Sequence, residues 1–188
     1  KLDAEPPASL PNISMAAAWL KSWNGESFWS WTHGEFLRNY AVFPVRDSSL
    51  NGKEQTGIWT IDITTPGTYT LQAMTDDDGN VSWDGNKLGD IRYEDGEDHG
   101  PSTYTINNVT VGKHNLTGKI TNNNNRKRWS KNPSGLAWVL KNPSGQIVRT
   151  SLDDFNTELP QGYRAISFDV TRRAGDRNTI ICLLYTSD

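Results

Sequence analysis

Cysteine is all but missing from this chain of 188 residues: Cys182 is the single one. It lies in the final stretch, residues 182–188, where CLLYTSD matches, codon for codon, the translation of a transposase adapter used to prepare sequencing libraries. The competing reading is a natural apolar strand that continues Thr179, Ile180 and Ile181. On the adapter reading the thiol carries no weight as a nucleophile or as half of a disulfide, and the stretch is left out of fold reasoning. The lack of other cysteines argues against a small disulfide-stapled secreted domain and suits a bacterial or viral origin. No apolar run approaches the ~20 residues that a membrane-spanning helix needs. Charge of either sign is scarce in net terms, −3 overall and −2 without Asp188. The short cluster Arg126-Lys127-Arg128 is the sole basic one, so no nucleic-acid surface is implied. Lys1 opens the chain with no basic segment leading into an apolar run. Either a leader has been removed or the sequence begins inside a longer protein.

Catalytic signatures are missing too. His33, His99 and His114 are scattered and fit no metal-ligand spacing such as H-E-x-x-H. Neither a G-x-S-x-G elbow nor a phosphate-cradling glycine loop occurs. Acidic residues are plentiful enough for a glycosidase pair, but no motif singles two of them out. The expectation is a protein that is not an enzyme.

What remains is β-rich and aromatic. Only 35% of the residues are apolar, yet eight are tryptophan. That balance suits thin β-layers with aromatic cores and long polar loops, at a length that fills one domain with partial flanks. Residues 1–12 are Pro-rich and polar and read as a linker. Residues 13–35 read as a short helix, capped by Ser14 and carrying Trp19 and Trp23 at i, i+4, followed by an aromatic lead-in with Phe28, Trp29 and Trp31. Most of those rings read as core filler, since tryptophan buries a large area, with one of them left exposed. From residue 36 to 150 the pattern is strand-like. Asn39 to Phe43 reads as a strand ended by Pro44. Ile58 to Thr64 alternates, with Trp59, Ile61 and Ile63 on one side. Gly67-x-Tyr69-x-Leu71 begins another strand, Asp76-Asp77-Asp78-Gly79 supplies a turn, and Val81-Ser82-Trp83 runs into the tight pair Asp84-Gly85. Trp83 and Trp138 fall inside alternating strands and read as core. Lys-Asn-Pro-Ser-Gly occurs at 131–135 and again at 141–145, and the second copy closes a hairpin on the Leu136–Leu140 strand. Residues 151–181, with a strand near 165–170, complete this domain or begin another.

The order Gly-x-Tyr strand, Asp-Asp-Gly turn, Asp-Gly hairpin, then Val109-x-Val111-Gly112-x-His114-x-Leu116 resembles the PA14-type β-sandwich. The resemblance covers about a quarter of the chain. It implies an all-β, antiparallel jelly-roll sandwich of an extracellular module that binds glycans or assists adhesion, and it gives His114 a recurring structural position in its strand. The segments at 39–42, 56–70 and 135–145 are also similar to structural proteins of marine tailed phages, where such sandwiches decorate tail fibres and other virion parts.

Asp76, Asp77 and Asp78 are the sharpest candidates for chemistry, because adjacent carboxylates are costly to hold together unless a cation or hydrogen-bond donors neutralise them. Calcium takes six to eight oxygen ligands of this kind. The resemblance implies more: in calcium-dependent PA14-type lectins two consecutive aspartates joined by a cis peptide hold the ion, a later asparagine completes it, and the ion binds sugar hydroxyls. By position before Gly79 the pair aligns as Asp77 and Asp78, or one place earlier as Asp76 and Asp77. The later asparagine falls within 122–125, with Asn123 and Asn124 at the loop tip. Trp129, beside the basic cluster, is the indole expected to face solvent. The bland alternative is an ordinary turn with solvated neighbours.

The loops 76–79, 90–100 and 122–129 are expected at one end of the sandwich, where binding residues gather on such scaffolds. The function expected is glycan recognition or adhesion within a larger extracellular or virion protein, with a surface glycan or another virion or cell-surface protein as partner and oligomerisation through the parent protein. The alternatives are a purely structural spacer or decoration domain that makes protein contacts, and an accessory domain of a carbohydrate-active enzyme.

Overall fold

The computed structural model describes residues 34–44, 50, 52–91, 100–123, 134–158, 160, 163–168 and 180–185. Among the described residues one short helix, α1 (Gly34–Tyr40), precedes eleven strands: β1 (Glu54–Ile63), β2 (Gly67–Asp76), β3 (Asp78–Trp83), β4 (Asn86–Ile91), β5 (Ser102–Val109), β6 (Gly112–Thr121), β7 (Gly135–Lys141), β8 (Ile147–Thr150), β9 (Asn156–Glu158), β10 (Tyr163–Phe168) and β11 (Ile180–Tyr185). They form a five-stranded sheet in the order β4-β3-β6-β1-β9, a four-stranded sheet in the order β5-β2-β7-β8, and a β10-β11 pair in which Ile166 lies opposite Cys182. Every pairing is antiparallel, and the chain is an all-β sandwich.

The alternation in β1 is the simplest case of sequence dictating structure. Trp59, Ile61 and Ile63 are buried, while Thr60 and Asp62 are exposed, as a period-two pleat with one wet face requires. The inward residues of the two larger sheets meet in one core. Trp59, Ile61, Val81, Trp83, Leu116 and Ile120 come from the five-stranded sheet, and Tyr69, Leu71, Ala73, Leu136, Trp138 and Leu140 from the four-stranded one. Trp59 meets Trp138 edge to face at 5.3 Å and stacks on Phe155 at 4.8 Å. Its indole N–H donates to the Ser151 carbonyl at 3.1 Å, which satisfies the polar end of a buried ring. Ser151 also accepts the Trp138 amide and donates to the Tyr40 carbonyl, so one small hydroxyl ties β7 to α1.

Strand β7 is buried from Gly135 to Leu140 because both its faces are covered. Leu37, Ala41 and Phe43 pack against Ala137 in a second cluster, away from the sandwich core. Here the structure departs from the expected strand over residues 39–43. Asn39 and Tyr40 finish α1 instead, while Val42 and Phe43 are bridge residues, Val42 opposite Leu136. The i, i+4 pair Leu37 and Ala41 gives the segment an apolar stripe buried against Ala137 of β7, while Val42 and Phe43, with their β propensity, keep to bridge conformation. The helix expected at 15–23, with Trp19, Trp23, Phe28, Trp29 and Trp31, lies outside the described residues.

The turns are those the sequence calls for. Asp84 (φ 47°) and Gly85 (φ 79°) join β3 to β4 in a two-residue turn with both central residues left-handed. Asn142 Oδ1 accepts the Ser144 and Gln146 amides, so the second Asn-Pro-Ser-Gly copy closes the β7–β8 hairpin. Register shifts interrupt the β2–β5, β3–β4 and β7–β8 pairings, and β9 pairs through three residues. Replacing Trp59 with alanine removes the ring on which both sheets close, and urea unfolding should show a loss of about 3–5 kcal/mol.

Candidate functional site

The three aspartates occupy the crossing between the sheets. Strand β2 of the four-stranded sheet ends on Asp76, opposite Gly135 of β7, and β3 of the five-stranded sheet begins on Asp78, opposite Thr121 of β6. The chain therefore passes from one layer to the other across the end of the sandwich, and Asp77 sits on the bridge. The Asp76–Asp77 peptide bond is cis. Asp76 is 5% exposed, Asp77 half-buried and Asp78 exposed.

Residues on either side hold this crossing in place. The Thr75 hydroxyl lies 2.9 Å from the Asp77 carbonyl, which accepts its hydrogen. Gly79 has no room for a side chain, since a Cβ would lie 2.5 Å from the Lys119 carbonyl oxygen and 2.6 Å from Thr75 Cγ2. From the end of β6, Asn123 closes the site twice. Its backbone N–H donates to Asp77 Oδ2 at 2.7 Å, and its Nδ2 donates to Asp78 Oδ2 at 2.7 Å. The carbonyl of the preceding residue, the buried Asn122, accepts the Gly52 amide at 2.7 Å, which anchors the strand end.

The electrostatics are those of crowded carboxylates. Burial, then the charge of Asp76 and a side-chain hydrogen bond with it, push the Asp77 carboxyl up to about 7. The Asn123 N–H works against this, and the charge of Asp78 adds to it. Like charges and desolvation both favour the neutral acid, and a bound cation would reverse both.

Of the expected site residues, Asp76, Asp77, Asp78 and Asn123 are brought together, while Asn124 and Trp129 lie outside the described residues. Strand β4 ends with Ile91 opposite Gly79, so the strand ends leading into residues 92–99 and 124–133 leave the same end of the sheet as the aspartates. Thr75 was not singled out from the sequence, and Asn122 was named only within the asparagine tract 122–125. Their roles come from strand register, and a threonine ahead of an Asp run was the available signal. Among the described residues no three His, Cys, Asp or Glu side chains converge as a ready-made metal centre. The Asp76 and Asp77 carboxyls, which share a side-chain hydrogen bond, are hard oxygen donors of the type calcium takes.

No family model and no curated protein matches this sequence. Similar folds occur among solved structures. An α-L-rhamnosidase of Streptomyces avermitilis, solved with L-rhamnose, matches 77% of this chain and 14% of its own, with 18% identity and a TM-score of 0.50. A Pleurotus ostreatus lectin in its apo form matches 70% of this chain and 35% of its own, with 17% identity and a TM-score of 0.41. A PA14 sugar-binding domain from an RTX adhesin matches 50% of each chain, with 17% identity and a TM-score of 0.32. The chain thus spans half or less of each of these structures, and at 18% identity the likeness to the rhamnosidase speaks for the fold alone.

In metal-free protein the raised Asp77 value makes a stability contribution that is complete below the unfolded value of 3.8 and is lost as the pH rises through about 7. Urea midpoints in chelator should therefore fall between pH 4.5 and pH 6.5, and Asp77→Asn should flatten that fall.

Proposed function

We propose that this sandwich is a non-catalytic carbohydrate-recognition module of an extracellular or virion protein, which binds glycans through the end that carries Asp76, Asp77, Asp78 and Asn123. The observation that carries the reading is that Asn123, 45 positions beyond Asp78, donates to both Asp77 and Asp78 while Asp76 shares a hydrogen bond with Asp77, at a rim between two sheets. A turn with solvated neighbours needs no such arrangement, and the crowding it imposes on Asp77 is unfavourable without a counter-charge.

Calcium is the ion that fits. Asp76, Asp77 and Asn123 would hold it, while Asp78 keeps the Asn123 side chain in place. When bound, the ion supplies a positive centre that accepts vicinal hydroxyls as further oxygen ligands. The chain's own contribution is to fix the carboxylates on two strand ends, so that no loop has to be ordered on binding. The PA14 resemblance and the sandwich fold support the same reading, and the phage likeness favours a virion setting.

Thermal unfolding with millimolar calcium and with chelator tests the ion. Binding to the native state raises stability by about 2.7 kcal/mol at one hundred times Kd, so the midpoint should climb in calcium and not in Asp77→Asn. A glycan array tests the ligand: retained sugars should wash off in chelator and be lost in Asn123→Ala. An unmoved midpoint together with a blank array would sink the reading and leave a spacer that makes protein contacts.

A further inference from the structure

The opposite end of the five-stranded sheet carries a second polar cluster. His114 pairs with Ile61 across β1 and β6, on the core-facing side, with 11% of its side chain exposed. Its ring stacks on Trp83 at 5.2 Å. Both ring nitrogens face oxygen. Nδ1 lies 2.6 Å from Asp84 Oδ2 in the β3–β4 turn, and Nε2 lies 2.7 Å from the Thr110 carbonyl between β5 and β6.

A carbonyl oxygen only accepts, and so does an ionised carboxylate. The two short contacts are therefore both hydrogen bonds only when each ring nitrogen carries a hydrogen. Neutral imidazole has one such hydrogen; imidazolium has two. Asp84 cannot easily turn away, because its Oδ1 accepts the Asn115 amide at 2.8 Å and its own amide donates to the Asn115 carbonyl at 2.8 Å. We infer that His114 is held as an imidazolium that ties the β3–β4 turn to the β5–β6 turn, a clasp closed while the ring is charged and released on one side when it is not.

The surroundings agree. Asp84 is the charged side chain in contact with the ring among the described residues. Lys113, the next residue on β6, points to the other face, where it pairs with Asp62 of β1 at 3.5 Å. Ile61, Trp83 and Thr110 bring no ionisable group. On β2, the Tyr69 hydroxyl at this end donates to the Thr65 carbonyl at 2.7 Å. Burial alone would lower the ring's pKa, but the Asp84 hydrogen bond, the Thr110 carbonyl and the Asp84 charge outweigh it and raise it above 6.5. A raised histidine contributes stability that is complete below the unfolded value and is lost as the pH rises through the folded one. The clasp is therefore tight in mild acid and loosens toward alkaline pH. It is independent of the aspartate site, which lies at the far end of β3 and β6.

Nitrogen-15 NMR of the intact chain tests this, with His114 assigned by its loss in His114→Gln. At pH 7 both ring nitrogens should carry hydrogens, and the titration midpoint should lie above the ordinary value of about 6.5. In Asp84→Asn the midpoint should drop. The fall in urea midpoint from pH 6 to pH 9 should be larger in the native chain than in His114→Gln. A ring with one hydrogen at pH 7, a midpoint at or below the ordinary value, or an unmoved midpoint in Asp84→Asn would overturn the inference. Should His114→Gln fail to fold, the Asp84→Asn titration decides alone.

Discussion

The register of β6 is the constraint on which the other features rest. Its ten residues pair in full with β1 on one side, and its later residues pair with β3 on the other. That arrangement sets Trp83 against Leu116 and Asp78 against Thr121, and so decides what stands at each end of the sheet. A slip of one residue would turn Leu116 and Ile120 outward and Lys119 into the core, a cost that the buried face does not allow. Inward packing of apolar side chains thus fixes the positions of polar groups that take no part in it.

The two ends solve opposite electrostatic problems. At one, three carboxylates follow each other in the chain, and Asn123 supplies hydrogen bonds to Asp77 and Asp78 but no opposite charge. At the other, a single carboxylate meets a ring able to become positive, and the charges cancel within the fold. An unbalanced cluster invites an outside partner, whereas a balanced one stabilises the structure that holds it. The contrast is why the first is read as a binding site and the second as part of the scaffold.

Much of the sandwich was legible in the residues. Alternation at Trp59, Ile61 and Ile63, the Asp84-Gly85 turn and the second Asn-Pro-Ser-Gly turn each carry their structural meaning locally, within a few positions. The helix over Gly34–Tyr40 was not legible, because Asn39 and Tyr40 run on into the strand-like Val42 and Phe43, and the stripe of Leu37 and Ala41 has meaning only once β7 is there to receive it. The aspartate run stood out, and so did the asparagine tract. Which asparagine meets which aspartate depends on strand register across 45 positions, and short-range patterns do not encode that. His114 was read as a recurring strand position; its link to Asp84, 30 residues earlier, emerges only when β3 and β6 lie side by side.

The four outer strands of the two large sheets share a property with consequences for life at high copy number. β8 and β9 offer four and three residues of backbone, and β4 and β5 join their neighbours through shifted pairing. A short or irregular border makes a poor template for another chain's backbone. Molecules with such borders can stand side by side at high concentration without their sheets fusing edge to edge into fibrils.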